Sequence, residues 1–260
     1  ARAAATALRA ARDPRNLLRA LNVWGAACFE LGDLAGAEVR FDEMWELALE
    51  TGHEEMRARA ANNLGALASL RGDHERALSL YRVALPAYQR LGWVRGLAQT
   101  EHNVAILHRD RGDWAESDRW YRRAWERARR IPDPRLAAMA AVGRAELACL
   151  WGDPDAAAAA ARRALEDLIE YGDALGQADA LRVLGMASRA WRDWEEAARR
   201  FDAALEIARA NGNPLLEAEL WRERGLLERE RGRARAGRRA LERALALFER
   251  LGARAEARKT

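Results

Sequence analysis

Glycine followed by a polar residue returns every 40 positions, as Gly32-Asp33, Gly72-Asp73, Gly112-Asp113 and Gly152-Asp153, before decaying to Arg192-Asp193 and Gly232-Arg233. A second set of breakers keeps the same period twenty residues out of phase, at Gly52, Gly92, Pro132, Gly172, Gly212 and Gly252. A glycine ends a helix by taking the left-handed conformation, and the Asp after it caps the free N–H groups of the next helix. Two interleaved combs therefore mean two helices per repeat. Units of this kind bury their apolar faces only against their neighbours, so the chain is constrained to stack. The expected fold is all-α, an α-solenoid of six antiparallel helix pairs. Its helices should span 14–30, 34–50, 54–71, 74–91, 94–111, 114–130, 134–151, 154–171, 174–191, 194–210, 214–231 and 234–251.

Taking the unit to begin at Leu18, Ala58, Ala98, Ala138, Ala178 and Ala218, position 8 is always small: Gly25, Gly65, Ala105, Ala145, Gly185 and Gly225. Position 24 is mostly large: Phe41, Tyr81, Tyr121, Ala161, Phe201 and Leu241. Small and large positions at fixed places interlock packed helices. Pro14, Pro134, Pro154 and Pro214 follow Asp or Asn and suit the first helical turn, and all six prolines are expected at element boundaries. Repeat four breaks the pattern with Ala161 and the run Ala156 to Ala161, so looser packing is expected there. Residues 13–252 read as six repeats in one domain. Residues 1–12 fit the second helix of a preceding partial repeat, with Ala4 in phase with Ala84 and Leu8 with Tyr88, and residues 253–260 read as a tail or the start of a further helix. A chain that starts inside a repeat is expected to be a piece of a longer polypeptide.

The net charge of only +4 is weak evidence for a nucleic-acid or anionic-membrane footprint. No apolar run of membrane-spanning length and no signal-peptide pattern occurs. Cys28 and Cys149 lie three repeats apart and cannot staple neighbours, which points to a reducing cytoplasm.

The small residue at position 8, Gly-Asp at 15 and 16, Ala at 20, an aromatic at 24 and Ala at 27 together resemble the tetratricopeptide repeat. Repeat two, from Asn62-Asn63-Leu64-Gly65 through Gly72-Asp73 to Ala77, Tyr81 and Ala84, shows the match in one unit. The 40-residue length is similar to kinesin-light-chain-like repeats and bacterial peptide-sensing regulators. The resemblance implies a right-handed superhelix covering most of a turn, first helices lining a concave groove, and a noncatalytic protein- or peptide-binding scaffold, a sensor or adaptor portion of a larger regulator.

By the same resemblance, groove residues come chiefly from positions 2, 5, 6, 9, 12 and 13 of each first helix. Position 5 reads Asn22, Asn62, His102, Val142, Arg182 and Arg222, and position 6 adds Asn63 and Asn103. Asparagine carries donors and an acceptor, so a ladder of them suits the backbone of an extended peptide. Arg182 and Arg222, with Arg189 and Arg229 two turns on, form either an anion-gripping face for an acidic partner or a solvated charge mosaic with Asp179, Glu219, Glu223 and Glu230. Trp24, Trp114, Trp151, Trp191, Trp194 and Trp221 fall at positions expected to pack between helices, whereas Trp93 and Trp120 are candidates for exposure. His102 and His108 are six apart, which does not suit two ligands on one helix face, and no phosphate-binding loop or nucleophile constellation occurs. No enzyme activity, metal or cofactor is therefore expected. Two other functions remain open: self-association through open terminal repeats, and nucleic-acid binding through Arg231, Arg233, Arg235, Arg238 and Arg239.

Overall fold

The structure is a computed structural model that describes residues 2–10 and 13–260. Among the described residues it holds fourteen helices and no strand. In chain order they are α1 (Arg2–Ala10), α2 (Pro14–Glu30), α3 (Leu34–Glu50), α4 (Glu54–Arg71), α5 (His74–Arg90), α6 (Val94–Asp110), α7 (Trp114–Ala128), α8 (Pro134–Leu150), α9 (Pro154–Glu170), α10 (Ala174–Ala190), α11 (Trp194–Ala210), α12 (Pro214–Glu230), α13 (Ala234–Leu251) and α14 (Arg254–Lys259). Helices α2 to α13 start and stop within two residues of the places set by the breaker combs. Consecutive helices pack as pairs, and each even-numbered helix from α4 to α12 also touches the next or previous even-numbered one. Leu8 packs into the first core cluster. The expected placement of Ala4 concerns a side chain outside those described, and residues 1, 11 and 12 likewise lie outside the described residues.

The glycines of both combs adopt positive φ. At the decayed position the backbone keeps the same conformation, so Arg192 sits at φ 63°, the one positive-φ residue other than glycine among those described. Asp33, Asp73, Asp153 and Asp193 accept from the backbone N–H three residues on, at 2.8, 3.1, 2.9 and 3.1 Å. Asp113 departs from the expected cap: its carboxylate faces His108 and Arg111, both at 3.4 Å, which compete for it. The four Asp-Pro and Asn-Pro starts hold, but Pro86 lies inside α5 and not at a boundary.

The small-to-large interlock is direct. A Cβ at Gly65 would lie 2.6 Å from the Tyr81 ring, and one at Gly185 would lie 2.5 Å from Phe201. Any larger residue there would push the helix pair apart. Trp114, Trp151 and Trp191 correct the expectation of core packing: they stand at the N1 or C-cap ends of α7, α8 and α10, at the solenoid edge where no further layer covers them, and are 36%, 50% and 42% exposed. Conversely, Trp93 and Trp120 are half-buried. Trp93 meets the Tyr88 ring edge-on at 4.9 Å and lies under the Arg59 guanidinium at 4.0 Å.

The solenoid turns tightly enough for its last repeat to reach the first two. Leu251 and Pro214 crowd Gly32, where a Cβ would meet them at 2.5 and 2.6 Å. Helix α14 lies against α4, with the Arg258 guanidinium donating to the Arg71 carbonyl at 3.4 Å. One apolar cluster therefore joins Leu18, Leu21 and Leu34 of repeat one to Phe248, Leu251 and Ala253. This corrects the picture of an open C-terminal repeat, since its apolar residues Phe248, Leu251 and Ala253 are buried against the chain's own beginning.

Candidate peptide-binding lumen

The concave face of this closed turn is a lumen lined by the even-numbered helices. Its two halves differ in chemistry. In repeats one to three the amides form a directional chain: Asn63 donates to Asn22 at 3.3 Å, Asn62 donates to Asn63 at 3.3 Å, and Asn103 donates to Asn62 at 3.1 Å. Thr100 anchors the middle by donating to Asn62 at 3.0 Å. Asn62 is 4% exposed and holds the ladder together, whereas Asn22, Asn63 and Asn103 are half-buried. Among the described residues, the Asn22 amide N–H₂ and the Asn103 carbonyl oxygen have no partner, so the chain of amides ends in a free donor on one side and a free acceptor on the other.

The other half is a layer of ion pairs. Arg109 donates to Glu146 at 2.6 Å and meets Asp110 at 3.1 Å, and Glu146 also accepts from Arg182 at 2.9 Å. Arg182 reaches Asp179 and, at 3.7 Å, Glu219. Arg222 pairs with Glu256, Glu256 with Lys259, and Lys259 with Asp110 at 3.0 Å, which returns to the starting helix. Successive repeats contribute from earlier turns of their first helices: Arg109 and Asp110 from positions 12 and 13, Glu146 from 9, Arg182 from 5, Glu219 and Arg222 from 2 and 5. A superhelix displaces each repeat along its axis, so side chains meeting at one level must come from progressively earlier positions.

Burial opposes the charges of Arg109, Glu146, Arg182, Glu219, Arg222 and Glu256, and the partners decide which survive. Arg109 and Arg182 hold the Glu146 carboxyl well below the usual range in spite of its burial. Burial likewise opposes ionisation of Glu256, but Arg222 and Lys259 outweigh it and hold the carboxyl at about 2. Glu219 goes the other way: burial, aided by Glu256, pushes it up to about 7 against the pull of Arg182 and Arg222. Between the halves, the His102 ring meets Tyr121 edge-on at 5.3 Å, and burial with the nearby Arg109 drives its imidazole down to about 4. His102 Nδ1 and the Tyr121 hydroxyl are both sealed without a partner.

Of the residues read from the sequence as lining the groove, the structure brings Asn22, Asn62, Asn63 and Asn103 together in one network and sets His102 at its edge. Arg182 and Arg222 enter the ion-pair layer, and Arg189 pairs with Glu223 and Glu230, both at 3.2 Å. Their guanidiniums are thus already matched by carboxylates, the charge-mosaic alternative. Arg229 is apart from them: its Cγ lies near Gly237 of α13, on the face between the paired helices. The reading missed Arg109, Asp110, Glu146, Glu256 and Lys259. Two signals were present, since Glu146 is the one acid in α8 and Lys259 the one lysine of the chain. Arg109–Asp110 and Glu256–Lys259 are neighbours on one helix, but the pairs that join the layer, Arg109–Glu146, Arg222–Glu256 and Lys259–Asp110, span 34 to 149 residues, beyond the reach of spacing on one helix. Cys28 and Cys149 are free, no cluster of potential metal ligands occurs among the described residues, and no described helix is long and apolar enough to cross a membrane.

Residues 16–90 and 96–170 match one tetratricopeptide repeat profile, and residues 180–215 match a second. No curated protein matches the chain in sequence. Among solved structures it is similar to BtubC (BKLC) from P. vanneervenii, with 18% identity and a TM-score of 0.57 over 85% of this chain and 90% of that one. A Rap protein complexed with competence and sporulation factor superposes with a TM-score of 0.76 at 13% identity, over 90% of this chain and 65% of that one. The Rap conjugation gene regulator of plasmid pLS20, in complex with the Phr* peptide, gives 0.73 at 13% identity, over 87% and 60%. The chain thus spans about 60–65% of the two Rap chains, and the likeness at these identities is one of fold. The expected similarity to kinesin-light-chain-like repeats and peptide-sensing regulators is met. With profile matches covering more than half its length in the repeat register set by its glycine combs, the chain belongs to the tetratricopeptide repeat family.

Proposed function

We propose that this chain is a noncatalytic, cytoplasmic scaffold that binds an extended peptide or protein segment in the amide-lined half of its lumen, as the sensor or adaptor portion of a larger bacterial regulator. The observation that carries this reading is the Asn22–Asn63–Asn62–Asn103 chain with its unpartnered donor and acceptor ends. Such ends match the C=O and N–H of a peptide backbone, and a ladder fixed beforehand by Thr100 lowers the ordering cost of binding. Two neighbours of the same fold were solved with a peptide or factor bound, which favours the same use here. The matched guanidiniums of the other half make the partner's backbone, more than any acidic character, the basis of recognition. Residues 13–252 act as one solenoid in this reading, with the flanking stretches as partial repeats.

The test is selection of peptides from a random display library on the immobilised chain, followed by titration of the enriched peptides against the Asn22→Ala/Asn103→Ala variant, which spares the structural Asn62. Losing two exposed-to-ligand hydrogen bonds is expected to weaken binding by about tenfold or more. Enriched peptides that bind the variant as tightly as the original chain would sink the lumen assignment.

A further inference from the structure

On the convex side of repeat four, α7 and α9 part over α8 to leave a crevice of about 640 Å³, within the size range of small-molecule sites. Its floor and walls are mainly alanine, including Ala128, Ala141 and Ala160, with the Trp125 ring on one side and Arg129 and Arg163 on the rim. Helix α7 cannot sink further onto α8. Tyr121 of α7 is wedged against Gly143 of α8, where even a Cβ would lie 2.4 Å from its ring.

The 40-residue period shows what is missing. One repeat earlier the same registers hold Tyr88, Glu101 and Trp120. There Tyr88 is buried, the Trp120 ring lies 4.4 Å under the Arg123 guanidinium, and the buried Glu101 carboxylate is held by Arg127 at 2.8 Å and Arg123 at 3.3 Å. Forty residues on, those three positions become Ala128, Ala141 and Ala160, while Arg123 becomes Arg163 and Arg127 becomes Asp167. Repeat four keeps a guanidinium whose carboxylate and covering rings have gone. Among the described residues, neither Arg163 nor Arg129 is ion-paired, Arg129 being stacked on Trp125 at 4.6 Å, whereas the third rim arginine, Arg144, is taken by Asp118 at 3.0 Å. Two free guanidiniums and the rim carboxylate of Asp167 leave a net charge of +1, which a monoanion matches.

We propose that this crevice binds a small apolar carboxylate. Its carboxylate meets Arg163 and Arg129 at the rim, and its apolar body rests on the alanine floor against Trp125, where repeat three has Tyr88 and Trp120. A bidentate carboxylate–guanidinium pair at the edge of an apolar slot is a strong and orienting contact.

Calorimetric titration of the full chain with indole-3-propionate and with dodecanoate tests this, using 3-ethylindole and dodecanol as uncharged counterparts. Saturable one-site binding of at least one carboxylate is expected, about tenfold weaker in Arg163→Gln. It should be absent in Ala160→Trp, which copies Trp120, and in Ala141→Glu, which restores the internal carboxylate. Should A160W not fold by circular dichroism, A160L, copying Leu80, fills the slot more gently and should weaken binding by the same route. No saturable binding to the unaltered chain, binding that persists in the filled variants, or equal binding of the uncharged compounds overturns the proposal. The Asn22→Ala/Asn103→Ala variant should bind as the unaltered chain does; loss there would place the ligand in the lumen and overturn the crevice assignment.

Discussion

The clearest residue-scale consequence of the repeat lies at Arg192. A side chain with a Cβ in the left-handed region carries a cost of about 1–2 kcal/mol, and ten glycines at equivalent helix ends avoid it. Arg192→Gly is therefore expected to raise stability by about 1 kcal/mol, with a higher Tm in thermal denaturation; an unchanged or lower Tm would show that Arg192 makes compensating interactions. Glu146 is the opposite case. It sits between the buried Arg109 and Arg182, which also hold Asp110 and Asp179, so Glu146→Gln removes the carboxylate they share and is expected to cost about 2–3 kcal/mol in chemical denaturation. Glu219 titrates against the fold. Its carboxyl is pushed up to about 7 from 4.5, so between these values the folded chain holds a proton that the unfolded chain has lost, and stability falls as pH rises through that window. Glu219→Gln should leave stability near pH 4 unchanged and raise it at pH 8 by on the order of 1 kcal/mol; parallel pH–stability curves for the two proteins would refute this. All three residues stand in positions the sequence alone marks as repeat positions, but only Arg192 could be singled out there as a departure from its comb. The burial that shifts Glu219 depends on helices far away in the chain.

At the scale of the element, helix ends were almost fully legible because breakers and caps act within four residues of chain. The caps nevertheless differ in a way that spacing does not disclose. Asp153 accepts the Ala156 N–H at 2.9 Å, whereas Asp113 turns to His108 and Arg111. Asp153→Ala is expected to cost about 1 kcal/mol and Asp113→Ala only a few tenths, measured as the shift in urea midpoint of each variant. Equal losses would mean that Asp113 caps α7 in solution. Helix packing was legible where it depends on small and large residues at a fixed register, as with Gly65 under Tyr81. It was less legible for tryptophan: Trp151 occupies a repeat position yet falls at the end of α8, where the solenoid edge leaves it half exposed.

The whole molecule is governed by closure of the turn. Glu256 and Lys259, on the last helix, complete the ion-pair layer by reaching Arg222 and Asp110. The Glu256 carboxyl is held at about 2 from 4.5, so its contribution is fully present above pH 4.5 and is lost as pH falls toward 2. Charge reversal by Glu256→Arg should remove on the order of 2 kcal/mol at neutral pH and open the turn, read as a larger radius of gyration in X-ray scattering. An unchanged radius would show that the apolar contacts of Leu251 and Phe248 with repeat one hold the closure alone. Burial of those side chains leaves the last repeat without an open apolar end.

The sequence by itself determined the two-helix unit, its 40-residue register, the helix ends and the interlocking of position 8 with position 24. Each of these follows from contacts within a repeat or with the next one, and so repeats in the chain as a readable period. It also placed the asparagines of repeats one to three on one face, because neighbouring first helices align equivalent positions side by side. The pairing of the lumen arginines, the joining of the last repeat to the first two and the opening of the crevice in repeat four were decided only by the tertiary structure. The first two depend on the curvature and pitch of the stack, small rotations per repeat that no local spacing encodes and that add up over the whole turn. The crevice depends on whether backbones close over missing side chains, and the wedge of Tyr121 against Gly143 keeps them apart.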